Sequence, residues 1–69
     1  KERSETLFKA INQLTEAQKV VFTLCKVDGK SYEEISEIVE KSMSSVESLM
    51  FRAKKNLQDL LRDFYKNEN

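Results

Sequence analysis

Histidine and proline are absent from this 69-residue sequence, and glycine and cysteine occur once each, as Gly29 and Cys25. Each shortage removes a class of function. Without histidine there is no Ser-His-Asp or Cys-His engine. One cysteine falls short of the roughly four Cys or His ligands of a structural zinc site, and it cannot form a disulfide within the chain. No nucleophile–base pair and no phosphate-binding glycine loop is present, so the sequence reads as a non-enzyme and calls for no cofactor. Charge of one sign is also lacking: Lys plus Arg number 12 and Asp plus Glu number 12. That excludes a function resting on bulk charge alone. No apolar run approaches the ~20 residues of a membrane span, and no signal peptide is visible. Cys25 sits in an apolar run, reads as a small buried hydrophobe and suits a reducing compartment. The expectation is a cytoplasmic chain with no membrane partner. It begins Lys-Glu-Arg with no Met, which reads as a piece of a longer or processed protein.

Strands and hairpins consume turn residues, and this chain has almost none, so an all-α domain is expected. Leu7, Phe8 and Ile11 recur at helical spacing from Ser4 to Gln13, with Leu14 just beyond and Ser4 as the N-cap. Thr15 is the cap of a second helix carrying Ala17, Val20, Val21, Leu24 and Cys25, widened by Phe22 and Val27. This is expected to be the most buried helix. Asp28-Gly29 ends it, because glycine tolerates the left-handed conformation that closes a helix. Ser31 with Glu34 forms a capping-box pattern at the head of a short third helix, in which Tyr32, Ile35, Ile38 and Val39 share a side. Glu40-Lys41-Ser42 interrupts the pattern. Ser42 and Ser44 both qualify as caps of a last helix from about Met43 to about Phe64, Ser44 with Glu47 as its capping box. Residues 4–66 form the domain and 67–69 a frayed tail.

Stepping about 100° per residue along the last helix separates two faces. Val46, Met50, Ala53, Leu57, Leu60, Leu61 and Phe64 gather on one, with Leu49 at its edge. Ser44, Ser48, Phe51, Arg52, Lys55, Asp59 and Arg62 gather on the other, flanked by Ser45 and Glu47. Phe51 is the odd member, a large aromatic among serines and cations. A singly exposed aromatic needs no explanation. An aromatic can also pack on a thymine methyl while cations beside it hold phosphates.

A short helix, a tight turn and a helix opening on small polar residues make a helix-turn-helix pattern, running from about Ser31 to Leu57. Ser44 and Ser48 would let the helix seat deeply in a major groove, Arg52 can fork to a guanine or a phosphate, and the helix starts at Ser31 and Ser42 offer N–H groups to phosphates. Many helical bundles share this pattern. Up to Lys41 there are 7 basic and 8 acidic residues, and from Ser42 onward 5 and 4. Few cations mean few released counterions, so the isolated domain should bind weakly.

Three blocks in order now carry a family resemblance. Ile11-Asn12-Gln13-Leu14-Thr15-Glu16-Ala17-Gln18-Lys19-Val20-Val21-Phe22 resembles the opening of region four in bacterial sigma factors. Asp28-Gly29-Lys30-Ser31-Tyr32-Glu33-Glu34-Ile35-Ser36-Glu37-Ile38 is similar to its next segment. Ser45-Val46-Glu47-Ser48-Leu49-Met50-Phe51-Arg52-Ala53-Lys54-Lys55-Asn56-Leu57 is similar to its recognition helix. The match runs from Leu7 to Leu61 and is most like the extracytoplasmic-function (ECF) type of the sigma-70 family. Glu40 stands where the family often has glycine, Lys41 where an apolar residue follows, Glu47 where it often has lysine and Leu49 where it often has arginine. Glu47 is either the capping partner of Ser44 or an acceptor for a cytosine amino group.

The resemblance implies a four-helix domain that reads the −35 element of double-stranded promoter DNA and docks on the beta flap of RNA polymerase core, with an anti-sigma factor as a further partner. It implies recognition by Ser44, Ser45, Glu47, Ser48, Phe51, Arg52 and Lys55. Together with backbone contacts from Lys30, Ser31 and Ser42, these are the expected DNA-binding residues. A monomer is expected. Leu60, Leu61, Phe64 and Tyr65 either finish the core or form an apolar docking patch. Two other readings stand: a response-regulator output domain, and a protein-docking module with no DNA readout.

Overall fold

The structure, a computed structural model, describes residues 2–67, with side-chain surroundings for 5–63. Four helices follow one another: α1 (Glu2–Asn12), α2 (Glu16–Lys26), α3 (Tyr32–Val39) and α4 (Met43–Asn67). No strand occurs among the described residues. The all-α expectation holds, and α3, the 40–42 turn and α4 form the helix-turn-helix.

The helix ends follow from local chemistry. Thr15 has extended backbone, and its Oγ1 accepts the Gln18 N–H at 3.3 Å, capping α2. That helix closes over Gly29, whose φ of 73° suits a residue without a Cβ. Ser31 Oγ accepts the Glu34 N–H at 3.1 Å while Glu34 Oε1 accepts the Ser31 N–H at 2.9 Å, a complete capping box. α3 ends at Glu40, which lies in the left-handed region at φ 58° and ψ 45°. The next residue is held on both sides: Lys41 N–H donates to Ser36 O at 3.1 Å, and Ser36 Oγ donates to Lys41 O at 2.7 Å.

Three helix boundaries depart from the sequence expectation. α1 begins at Glu2, which places Ser4 within its first turn rather than at the N-cap; the Ser4 side chain lies outside the described residues. The cap of α4 is Ser42, whose Oγ accepts the Ser45 N–H at 3.1 Å. Ser44 is therefore inside the helix, and no Ser44–Glu47 capping box forms. α4 also runs past Phe64 to Asn67, so Lys66 and Asn67 are helical. No glycine or proline follows Ser42 to stop it. Glu68, Asn69 and the side chains of Phe64 and Tyr65 lie outside the described residues.

α4 is the spine of the core. Its first half contributes Val46 and Met50 to a cluster with Val21 and Ile35, and its second half contributes Ala53 and Leu57 to a cluster with Ala10, Ile11 and Leu14. Phe22 packs against both clusters and links them. Leu60 and Leu61 are half-buried against the second cluster and so complete the core. Among the described residues α2 is the least exposed helix, with only Glu16, Ala17, Val20 and Lys26 exposed, while the longer α4 supplies more of the fully buried residues. Val20 of α2 and Val27, its C-cap, are exposed, and Gln18 and Val21 are the buried residues of the helix. Leu7 and Phe8 are exposed as well, and Ala10 takes their expected place in the core. Ile38 likewise turns outward from α3. Cys25 is half-buried beside the first cluster. Ile35 is fully buried; truncating such a side chain to alanine costs about 2–5 kcal/mol, much of what a small domain has.

Candidate nucleic-acid interface

The polar face of α4 is built on the packed one. Burying Val46, Met50, Ala53 and Leu57 turns positions 44, 47, 48, 51, 52 and 55 outward together, because side chains three and four apart share a helix face. Ser44, Glu47, Ser48, Phe51, Arg52 and Lys55 are all exposed. Phe51 is the extreme case, with 70% of its surface open to solvent.

Two shallow grooves flank this ridge. One, of about 320 Å³, is lined by Ala17, Lys41, Ser44, Ser45, Ser48, Leu49 and Arg52. The other, of about 340 Å³, is lined by Phe51, Lys54, Lys55 and Gln58. Among the residues expected to bind DNA, the structure thus gathers Ser44, Ser45, Ser48 and Arg52 on one side and Phe51 and Lys55 on the other. Lys30, Ser31 and Ser42 line neither groove. The hydroxyls of Ser31 and Ser42 are already engaged in capping α3 and α4, and Ser45 Oγ accepts from Ser42 Oγ at 3.1 Å. Ser44 and Ser48 make no side-chain hydrogen bond among the described residues, and Glu47, Arg52 and Lys55 make neither a hydrogen bond nor an ion pair there. Arg62, further along, pairs with Asp59 at 3.5 Å.

Charge is concentrated here. Residues 41–55 carry four cations (Lys41, Arg52, Lys54 and Lys55) and one carboxylate, Glu47, within a chain of net charge zero. The halves counted in the sequence hide this by averaging over the acidic α3 and the mixed tail. Lys41 and Lys54 were absent from the expected site. Lys41 precedes the helix, so a helical projection gives it no face. Lys54 lies at the margin of that projection. One acidic group near the turn is displaced from its ordinary value: the Ser31 N–H donates to Glu34 and lowers its carboxyl, desolvation opposes this, and the Ser31 side chain and Lys30 lower it further.

This arrangement offers a ridge narrow enough for a groove, unpaired hydroxyls and an aromatic at its crest, and cations on both flanks. Similarity to known proteins points the same way. A family model described as "Sigma-70, region 4" matches residues 4–57. The ECF RNA polymerase sigma-E factor of Haemophilus influenzae is 33% identical over 61 residues, covering 88% of this chain and 32% of that protein. Those of Salmonella typhimurium and Escherichia coli are each 34% identical over 58 residues, covering 84% of this chain and 30% of theirs. The chain spans about a third of the length of the curated relatives it matches.

Proposed function

The chain belongs to the sigma-70 region 4 family, and on that premise we propose that it is the −35-reading, polymerase-docking part of an alternative sigma factor of the ECF type. The observation that carries this reading is the exposed ridge of α4, where Ser44, Ser48, Phe51, Arg52 and Lys55 are left without partners among the described residues by a helix whose other side is locked in the core. An α-helix fits the major groove, and the first turns of a recognition helix meet base edges there. Ser44 and Ser48 hydroxyls serve as donor or acceptor to bases, and Phe51 supplies an apolar surface for a thymine methyl. Arg52 and Lys55 serve base or phosphate. Lys30 and the helix start at Ser31 approach the backbone, with Ser31 acting through the pole of α3 rather than its engaged hydroxyl.

Docking on RNA polymerase core, through the beta flap, uses a different surface. Leu7 and Phe8 on α1, with 40% and 58% of their surfaces exposed, supply apolar area away from the ridge. An anti-sigma factor would compete for such area. No helix among the described residues is long and apolar enough to cross a membrane; a cytoplasmic monomer, working within a larger assembly, fits the proposed role.

Selection of randomised duplex DNA on the purified chain at low salt tests the reading. An enriched motif whose recovery falls as salt rises is the expected result. With three or four cations engaged, log K should fall against log salt with a slope of about −3 to −4. Equal recovery of all sequences, or no recovery, together with binding to the isolated beta flap, would overturn DNA readout and leave a protein-docking module.

A further inference from the structure

We propose that Lys41 and Arg52 together form a seat for one phosphate group, and that Arg52 therefore serves the DNA backbone rather than a base. The proposal rests on the DNA-binding reading above for the source of the phosphate, though not for the seat itself.

Five observations carry it. Lys41 and Arg52 line the same groove although they come from different segments, the turn and the third turn of α4. No carboxylate lines that groove; the ridge's one carboxylate, Glu47, lies outside it. Neither cation has an ion-pair partner among the described residues, and Ser44 and Ser48, which line the groove between them, have unengaged hydroxyls. Lys41 is also held in place: both its backbone polar groups are bonded to Ser36, so its side chain leaves from a fixed point. The groove opens beside the start of α4, where the N–H groups of Met43 and Ser44 precede any intrahelical acceptor. A tetrahedral dianion or diester takes such a set, with a lysine as point charge, a guanidinium as fork and hydroxyls as donors. A single guanine edge is satisfied by one bidentate fork, whereas two cations lining one groove without a carboxylate suit an anion.

This division of labour leaves base reading to the crest of the ridge, to Ser44, Ser48 and Phe51, with the Ser44 and Ser48 hydroxyls shared between groove and crest. Lys54 and Lys55, on the Phe51 side, serve the opposite strand's backbone.

Two arms test the seat and its source. In the first, the chain is titrated with inorganic phosphate, then with dimethyl phosphate, against chloride at equal ionic strength, and backbone amide shifts are followed by NMR. The expected result is phosphate-dependent shifts confined to residues 41–52, lost in both Lys41→Gln and Arg52→Gln and retained in Lys54→Gln. Shifts equal to those in chloride would overturn the seat. In the second arm, duplex binding is measured across salt. Each single variant should flatten the slope of log K against log salt by up to about one, the double variant by about one rather than two, and the selected motif should not change. An Arg52→Gln variant that keeps the slope but loses preference at one base pair would put Arg52 on a base and overturn the proposal. Phosphate-dependent shifts with an unchanged DNA slope would assign the seat to a free anion. If the unaltered chain binds no duplex at all, the DNA-binding reading fails, while the first arm still decides the seat.

Discussion

Asn56 Nδ2 donates to Gln18 Oε1 at 3.1 Å, joining α4 to α2 across 38 positions of sequence. Gln18 is the buried polar residue of the core, with 7% of its surface exposed, and Asn56 is exposed. The bond satisfies a carbonyl that would otherwise sit at the edge of the apolar interior. It also ties α2 to the helix that carries the ridge. Asn56→Ala should cost about 1 kcal/mol, since Gln18 then loses its partner but stays near water. Gln18→Met, which removes the polar atoms and keeps the shape, should be close to neutral. Urea unfolding midpoints of the two variants check this, and equal losses would show that the bond does not govern the pair.

That contact was not legible in the sequence, and the reason is general to this chain. A helical projection orders residues around one axis but does not say which part of a wide stripe faces the neighbour. On α4 the stripe was continuous, and Val46, Met50, Ala53 and Leu57 are buried as the spacing indicates. On α1 the apolar residues outnumber the positions that α4 covers. Ala10, small enough to let the helices approach, takes the contact and leaves Leu7 and Phe8 outside. On α2 the covered line passes through Gln18 and Val21, not through Ala17 and Val20. Side-chain caps were readable at Thr15 and Ser31. At the start of α4 the sequence offered two serines, and the turn decided for Ser42 because Lys41 is pinned to Ser36 immediately before it. The outward face of α4 was legible for the same reason its inward face was. Lys41 was not, since its place in a groove depends on the turn.

Glu40 occupies a left-handed conformation that its Cβ disfavours. Replacing it with glycine relieves that strain, and the greater freedom of glycine in the unfolded chain cancels part of the gain. Glu40→Gly should therefore stabilise the domain by about 0.5–1 kcal/mol, visible as a higher urea midpoint with an unchanged slope. Glu40→Ala, which keeps the strain, should show no such gain.

The capping box at α3 predicts a pH dependence. The carboxyl of Glu34 is held below 4.5 by the Ser31 N–H, then by the Ser31 hydroxyl and by Lys30. A group whose folded value is depressed stabilises the fold above its unfolded value and loses that contribution as pH falls through the folded one. Stability contributed by this cap should thus be complete above about pH 5 and decline below 4.5. Thermal midpoints of Glu34→Gln and the unaltered chain should converge as the pH is lowered toward 3. Parallel curves would show that the carboxylate charge is irrelevant to the cap.

Phe51 separates folding from reading. With 70% of its surface exposed, it contributes little to the core, so Phe51→Ala should change stability by no more than about 0.5 kcal/mol. On the ridge it supplies the large apolar contact, and its loss should weaken binding to the selected duplex by about 1–3 kcal/mol per base pair discriminated. Selection repeated with the variant should lose its thymine preference at one position. An unchanged motif would make Phe51 an ordinary exposed aromatic.

Glu47 is the acid on a cationic ridge, and its two expected roles now diverge. Ser42 caps α4, so Glu47 has no capping duty, and it makes no hydrogen bond or ion pair among the described residues. What remains is its charge, which opposes phosphates, and its carboxylate, which can accept from a cytosine amino group. Glu47→Lys removes the first and the second together. Overall duplex affinity should rise at low salt, with a slope against log salt steeper by about one, while discrimination for cytosine at one position disappears. Glu47→Gln keeps an acceptor without the charge, and should raise affinity less while retaining part of the preference. If both variants gain affinity equally and the motif stays intact, Glu47 acts as a brake on backbone binding and reads no base.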